Sequence, residues 1–229
     1  MRKWVQFSSF LLVLILAFSP SGSAEPERDA LFEKLKKTAY NFREVTPTIY
    51  RSGLISKEAV PYLKELGIKT VLTFDNQPKR VAEEQKFLKE AGIESISIPW
   101  SGWDDPDDAT IQKIHKIMDS PEYQPILIHC KHGQERTGVV IATWRISRQN
   151  WNVDQAYQEM KACGFRPFQY GHLKKYVYNF ASARGDQSAK MNTLERIKTE
   201  VLSFFYRLRK LNPAYQSRGG TFVREKAAF

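Results

Sequence analysis

Apolar and polar positions alternate along this chain in two rhythms. Residues 68–74 (IKTVLTF), 93–100 (IESISIPW) and 126–129 (ILIH) are short apolar or β-branched runs of the kind that form buried strands. Pro125 stands at the start of the last, where a strand tolerates it. Residues 48–53 (TIYRSG) read as a short strand entering a turn. Between these runs the spacing changes to that of helices. In 56–67, Ser56 can cap, Val60, Leu63 and Leu66 form a stripe, and Gly67 stops the helix. Helices are also predicted over 80–92, over 107–118, where Ile111, Ile114, Ile117 and Met118 share one face, and over 138–149. Strands alternating with helices at short spacing predict an α/β fold with a central, mostly parallel sheet flanked by helices. Ligands in such sheets sit at the carboxyl ends of strands. Cys130 falls at that end of the run 126–129.

Two further helices are predicted, 153–164 after the cap Asn152, and 171–181. A polar joint, 182–190, separates them from an amphipathic stretch, 191–211. Leu194, Ile197, Val201, Phe204, Phe205 and Leu208 recur there at helical spacing. This predicts an extra C-terminal helix that packs its stripe on the domain, with peripheral contact to a membrane as the alternative. The remainder, 214–229, reads as a mobile basic tail.

The N-terminus has a different pattern. Arg2 and Lys3 precede an apolar core, 10–18 (FLLVLILAF), and Gly22 and Ala24 suit cleavage before Glu25. The domain plan is therefore an export signal over 1–24, the main domain over 25–185, and the helix and tail over 186–229. An exported product is periplasmic or secreted. The alternative is an uncleaved anchor, although the apolar core is short for a membrane span.

Composition adds a bias toward anionic partners. The chain of 229 residues carries 35 Lys and Arg against 25 Asp and Glu, a net charge of +10. A basic surface of that size attracts phosphorylated solutes, anionic lipid or nucleic acid. No nucleic-acid motif accompanies the dispersed charges, so a nucleic-acid partner is not expected. Two cysteines, Cys130 and Cys163, make no disulfide framework. His129, Cys130 and His132 are close in sequence, but this is not the spacing of a four-ligand metal site, and no metal or cofactor is expected.

The chemistry concentrates in 129–138 (HCKHGQERTG). A loop from Cys130 to Arg136 that then opens a helix turns backbone N–H groups inward and adds the helix dipole, a cradle for a tetrahedral dianion. The same field favours a thiolate, since thiols at helix N-termini titrate at roughly 3.5–7.5. Cys130 could then attack phosphorus and form a phosphocysteine. Arg136 has the planar fork that matches two phosphate oxygens. Gly133 permits a tight turn and Gly138 close helix packing. The Thr137 hydroxyl can bond the sulfur, and His129 reads as a brace for the loop.

This segment resembles the signature of the cysteine-dependent protein tyrosine and dual-specificity phosphatases. Upstream, 41–74 is similar to the opening of the compact atypical dual-specificity phosphatases of plants, fungi and bacteria. The resemblance covers about residues 40–182. It implies that Cys130 is the nucleophile and Arg136 the phosphate clamp, with Lys131, His132, Gly133, Gln134 and Glu135 supplying backbone amides. Sulfur transferases of the rhodanese type also carry a Cys at a strand end, but lack the continuation Arg136–Thr137–Gly138.

The leaving oxygen needs a proton, usually from an Asp on a mobile loop. The family places that loop at 99–108 (PWSGWDDPDD). Asp104, then Asp105, are the candidates. Glu135, beside the Arg, is the second choice, with a loop brace as its other reading. Asp107 and Asp108 suit helix caps. Lys131 and His132 add positive charge, which favours a highly anionic substrate such as an inositol polyphosphate. The runner-up is phosphotyrosine protein, and a non-catalytic phosphate-binding module is a third reading. Lys161, Arg166, Lys174 and Lys175 are candidate rim cations. Cys163 reads as a buried apolar residue on a helix.

Overall fold

The computed structural model describes residues 24–211; the segment read as an export signal and the tail beyond 211 lie outside them. The elements are α1 (Ala24–Thr38), β1 (Arg43–Thr46), β2 (Ile49–Ser52), α2 (Val60–Glu65), β3 (Thr70–Thr73), α3 (Pro78–Glu90), β4 (Glu94–Ser97), α4 (Asp108–Asp119), β5 (Ile126–His129), α5 (Glu135–Gln149), α6 (Val153–Ala162), α7 (Gly171–Ser182) and α8 (Thr193–Leu211). The five strands lie in the order β1-β2-β5-β3-β4. All pairs are parallel except β1 with β2. This is the mostly parallel sheet that the alternation predicts.

The sheet is covered on both faces, and β5 shows why its sequence is apolar from Ile126 to Ile128. Ile126 and Ile128 belong to the core beneath α4–α7, while Leu127 belongs to the core beneath α1–α3. Successive side chains point to opposite faces, so a strand covered twice buries every position, and its one polar residue, His129, comes at the end where the loop begins. β5 is central, and register places His129 level with Ser52 of β2 and with Thr73 of β3. The loops after β2, β3 and β5 therefore leave the sheet together, and Cys130 emerges among them.

Two expectations need correction, and two elements had none. Ser56 stands before a 3-10 turn (Lys57–Ala59) that leads into α2, and its side chain makes no capping bond. α1 and β1 had no predicted counterpart. Most importantly, α8 does not bury its apolar stripe. It docks on α7 through Glu195 to Lys174 and Glu200 to Lys175, and the stripe faces outward. Two ion pairs join that helix to α7 on the side away from its apolar stripe.

Candidate active site

After His129 the chain turns through Cys130–Gln134 into α5. Gly133 has φ +65°, and a Cβ there would lie 2.5 Å from the carbonyl carbon and oxygen of Ser52. Glycine is thus required twice, for conformation and for space. The loop's carbonyls are held from outside. Leu54 N–H donates to Lys131 O at 3.2 Å. Arg51 Nη2 and Asn41 Nδ2 donate to Gly133 O at 2.9 and 3.2 Å. In a trans peptide the next N–H points opposite to the carbonyl. The N–H groups of His132 and Gln134 are therefore turned into the hollow of the loop, beside the unpaired N–H groups of the first turn of α5.

Arg136, on that first turn, is aimed by the neighbouring loops. Its Nη1 donates to Phe74 O at 2.5 Å and to Trp100 O at 2.9 Å. Its Nε and Nη2 make no hydrogen bond among the described residues, and the side chain lines a cleft of about 400 Å³ with Cys130, Lys131, His132, Glu135, Arg80 and Tyr170. One edge of the guanidinium is anchored and the adjacent edge is left for a ligand with two oxygens. Cys130 lies in that cleft and is almost fully buried.

The cleft is electropositive. His132 is held near pKa 4 by burial first, then by Lys131, Arg166, Arg136 and Arg80. Arg80 Nε and Nη2 donate to the two carboxylate oxygens of buried Asp75, at 2.7 and 2.9 Å. Burial would raise the Asp75 carboxyl, but the Arg80 bonds win and hold it below its usual range. No cluster of three or more His, Cys, Asp or Glu able to hold a metal occurs among the described residues.

Residues 38–198 match the Tyrosine phosphatase family. The chain belongs to that family. It is 34% identical over 126 residues to the dual specificity protein phosphatase TpbA of Pseudomonas aeruginosa, a match covering 55% of each. It is 34% identical over 131 residues to the inositol diphosphatase SIW14 of Saccharomyces cerevisiae, covering 55% of this chain and 46% of that protein. The match thus spans about half the length of these curated relatives. The crystal structure of TpbA superposes with a TM-score of 0.53 at 27% identity, over 73% of this chain and 91% of that one. The SIW14 catalytic core gives 0.54 at 27%, over 66% and 94%. The dual-specificity type of phosphatase fold read from the sequence is the fold observed.

Against this family frame, the acid candidates separate. Glu135 lines the cleft but is buried and accepts from Arg166 Nε at 2.8 Å. That pairing fits a brace. Ser101, Gly102 and Trp103 line the cleft, while Asp104 and Asp105 follow just outside it and are exposed. Asp107 caps α4 by accepting from Thr110 N at 2.7 Å, and Asp108 accepts from Tyr176 O–H at 2.7 Å.

Other expected contacts differ. Thr137 Oγ1 is buried with no hydrogen-bond partner, so it does not reach the sulfur in this state. A buried hydroxyl without a partner costs free energy, which leaves it available to an incoming group. His129 is a brace, its Nε2 3.0 Å from Glu84 Oε1. Of the four rim candidates only Arg166 reaches the loop. Lys174 and Lys175 are paired with α8, and Lys161 stacks over Tyr157. Cys163 ends α6, buried and unbridged.

Arg51 escaped sequence reasoning. It is 1% exposed on β2, beneath the loop, and its Nε and Nη1 have no partner. Burial pulls its guanidinium below the ordinary range, against the fields of Cys163, Glu159 and Cys130. The available signal was an arginine inside a four-residue strand that is otherwise Ile, Tyr and Ser. Glu84 and Asn41 gave none, because their partners lie 45 and 92 residues away.

Proposed function

We propose that this chain is a cysteine-dependent phosphomonoesterase acting on highly anionic substrates, with inositol polyphosphates as the leading class. The observation that carries this is the pairing, in one electropositive cleft, of buried Cys130 with an Arg136 whose free edge points to the same space. The Cys130 sulfur attacks phosphorus, an S–P bond forms, and the P–O bond to the leaving group breaks. Arg136 and the inward N–H groups of 131–136 hold the equatorial oxygens, gaining strength as charge builds in the transition state. The leaving oxygen takes a proton from Asp104, with Asp105 as the next candidate. Water then cleaves the S–P bond and releases phosphate.

Substrate class follows from the walls. Lys131 adds a positive charge beside Arg136 at the dianion site, and Arg80 and Arg166, paired with Asp75 and Glu135, border it; His132, expected as a further cation, is instead held neutral by burial. The name of the relative SIW14, an inositol diphosphatase, supports the same reading. A second reading, protein phosphotyrosine, is favoured by the Trp103–Tyr170 stack, 4.7 Å between centroids, which can flank an aryl ring. The name of TpbA points the same way. Steady-state kcat/KM on inositol hexakisphosphate, a phosphotyrosine peptide and a simple aryl phosphate ranks the two. The polyanion reading predicts the inositol phosphate first, and a strong preference for the peptide sinks it.

We propose further that the chain is exported, on the pattern of Arg2, Lys3 and the apolar run 10–18. A mature N-terminus at Glu25 in an extracytoplasmic fraction is the expected result; an intact residue 1 in the cytosol contradicts it. Outside the cytosol a reactive thiol must survive oxidation, so activity is expected to rise with dithiothreitol.

A further inference from the structure

The outward face of α8 is unlike any other described surface. Leu194, Ile197, Val201, Phe204, Phe205 and Leu208 are 44 to 77% exposed. They repeat at three- and four-residue intervals and make one stripe. The opposite face carries Glu195, Thr199 and Leu202, which are half-buried. Glu195 reaches Lys174 there, and Glu200, at the side, reaches Lys175. The helix is therefore fixed to the domain by its polar side with its apolar side presented to solvent. That is the reverse of a helix that closes a core.

Charge identifies what the stripe faces. Over Thr193–Leu211 the sequence has Arg196, Lys198, Arg207, Arg209 and Lys210 against Glu195 and Glu200. Both carboxylates are already engaged by lysines of α7. What is left is an apolar stripe with adjacent Phe204 and Phe205 on a cationic helix. A second copy laid stripe to stripe would bring like charge against like charge. An anionic lipid surface accepts both halves of the pattern, the stripe among acyl chains and the cations at headgroups. No described helix is long and apolar enough to cross a membrane, so the contact would be peripheral. The family match ends at Lys198, within this helix.

We propose that α8 is a membrane-surface anchor, lying in the interface of an anionic bilayer with Ile197, Val201 and Phe204 immersed. The domain then hangs from α7 at the surface. The proposal stands independently of which phosphorylated substrate the cleft takes.

Hydrogen exchange of the full chain, resolved across 193–211, tests this without interference from the apolar N-terminus. The probes are vesicles of phosphatidylglycerol mixed with phosphatidylcholine, and of phosphatidylcholine alone. Exchange over 193–211 should slow on the anionic vesicles. Partition of the wild type, measured against the double variant Ile197→Glu, Phe204→Glu, should be on the order of a hundredfold stronger there than on phosphatidylcholine, three net charges at about fivefold each. That variant should lose the protection and keep full activity on an aryl phosphate, since both side chains are exposed and far in sequence from the cleft residues. Unchanged exchange on anionic vesicles overturns the proposal. Equal protection by both vesicles overturns the anionic preference. Concentration-dependent protection in the absence of vesicles, abolished by the same variant, assigns the stripe to a second copy instead. Slow exchange that neither vesicle alters means that the chain covers its own stripe.

Discussion

The loop 130–136 and the segment 99–107 both border the cleft, and they are built in opposite ways. In the loop, Gly133 O has two side-chain donors, Lys131 O has a backbone donor, and His129 beneath it is fixed by Glu84. These constraints come from separate segments, Arg51 on β2, Glu84 on α3, and Asn41 and Leu54 in loops, so the cradle exists before any ligand arrives. The segment 99–107 is held by different contacts. Trp100 O holds Arg136, Trp103 stacks on Tyr170, and Gly102 O lies 3.2 Å from His172 Nε2. Asp104 beyond them is exposed and forms no ion pair among the described residues. On the proposed function, the cradle for phosphate is built in advance, whereas Asp104 lies outside the cleft and would have to be brought over the substrate, as lids do.

The most damaging way to break this contrast is at the clamp. Arg136→Lys keeps the charge and loses the fork, so kcat should fall by about a hundred to a thousandfold, the worth of a transition-state oxyanion contact. Turnover near wild type would mean that the anchored guanidinium is not the clamp.

Next comes the acid. Asp104→Asn should cost about a hundredfold on an alkyl phosphate, whose leaving oxygen needs a proton, and little on a nitrophenyl phosphate, whose does not. Glu135→Gln should lower both alike through loss of its bond to Arg166. If Glu135→Gln alone shows the leaving-group dependence, the assignments are reversed.

Arg51 probes the preorganised side from below. Arg51→Met removes one charged hydrogen bond to Gly133 O together with two unpartnered nitrogens, so stability should change little. Turnover should drop about tenfold, the value of that bond. Unchanged kcat in a folded variant would show that the loop keeps its shape unaided.

The smallest effect concerns stability and pH. His115 is 3% exposed, bonded to Thr143 Oγ1 at 3.1 Å, and burial lowers its pKa to about 4. Its folded pKa lies below the unfolded value of about 6.5. The unfolded chain therefore binds the extra proton between those values, and stability falls as pH drops through that window, by up to about 3 kcal/mol. Above it the group contributes no slope. Thermal melts of wild type and His115→Gln should converge as pH falls from 6.5 to 4. His132, shifted the same way, cancels in the difference. Parallel curves would refute the assignment.

What the sequence made legible follows the same division. β3 and β5 were readable because strands covered on both faces are rich in apolar and β-branched residues, and the loop was readable because nucleophile, glycine and arginine are close in sequence. The supports were not, because Arg51, Asn41 and Glu84 act across 82, 92 and 45 residues. β1 was missed for a different reason. Arg43–Thr46 has one buried residue, so its pattern is that of a loop. α8 was visible as an amphipathic helix, but not its orientation, because its partners on α7, Lys174 and Lys175, lie 21 and 25 residues away.

The central claim is that Cys130 carries the phosphoryl group. Acid quench of the enzyme during turnover of an aryl phosphate, followed by peptide mass spectrometry, should find one phosphoryl group on the peptide containing Cys130, and none in Cys130→Ser, which should be inactive. Full turnover with no phosphorylated Cys130 peptide, or an active Cys130→Ser, would contradict the account.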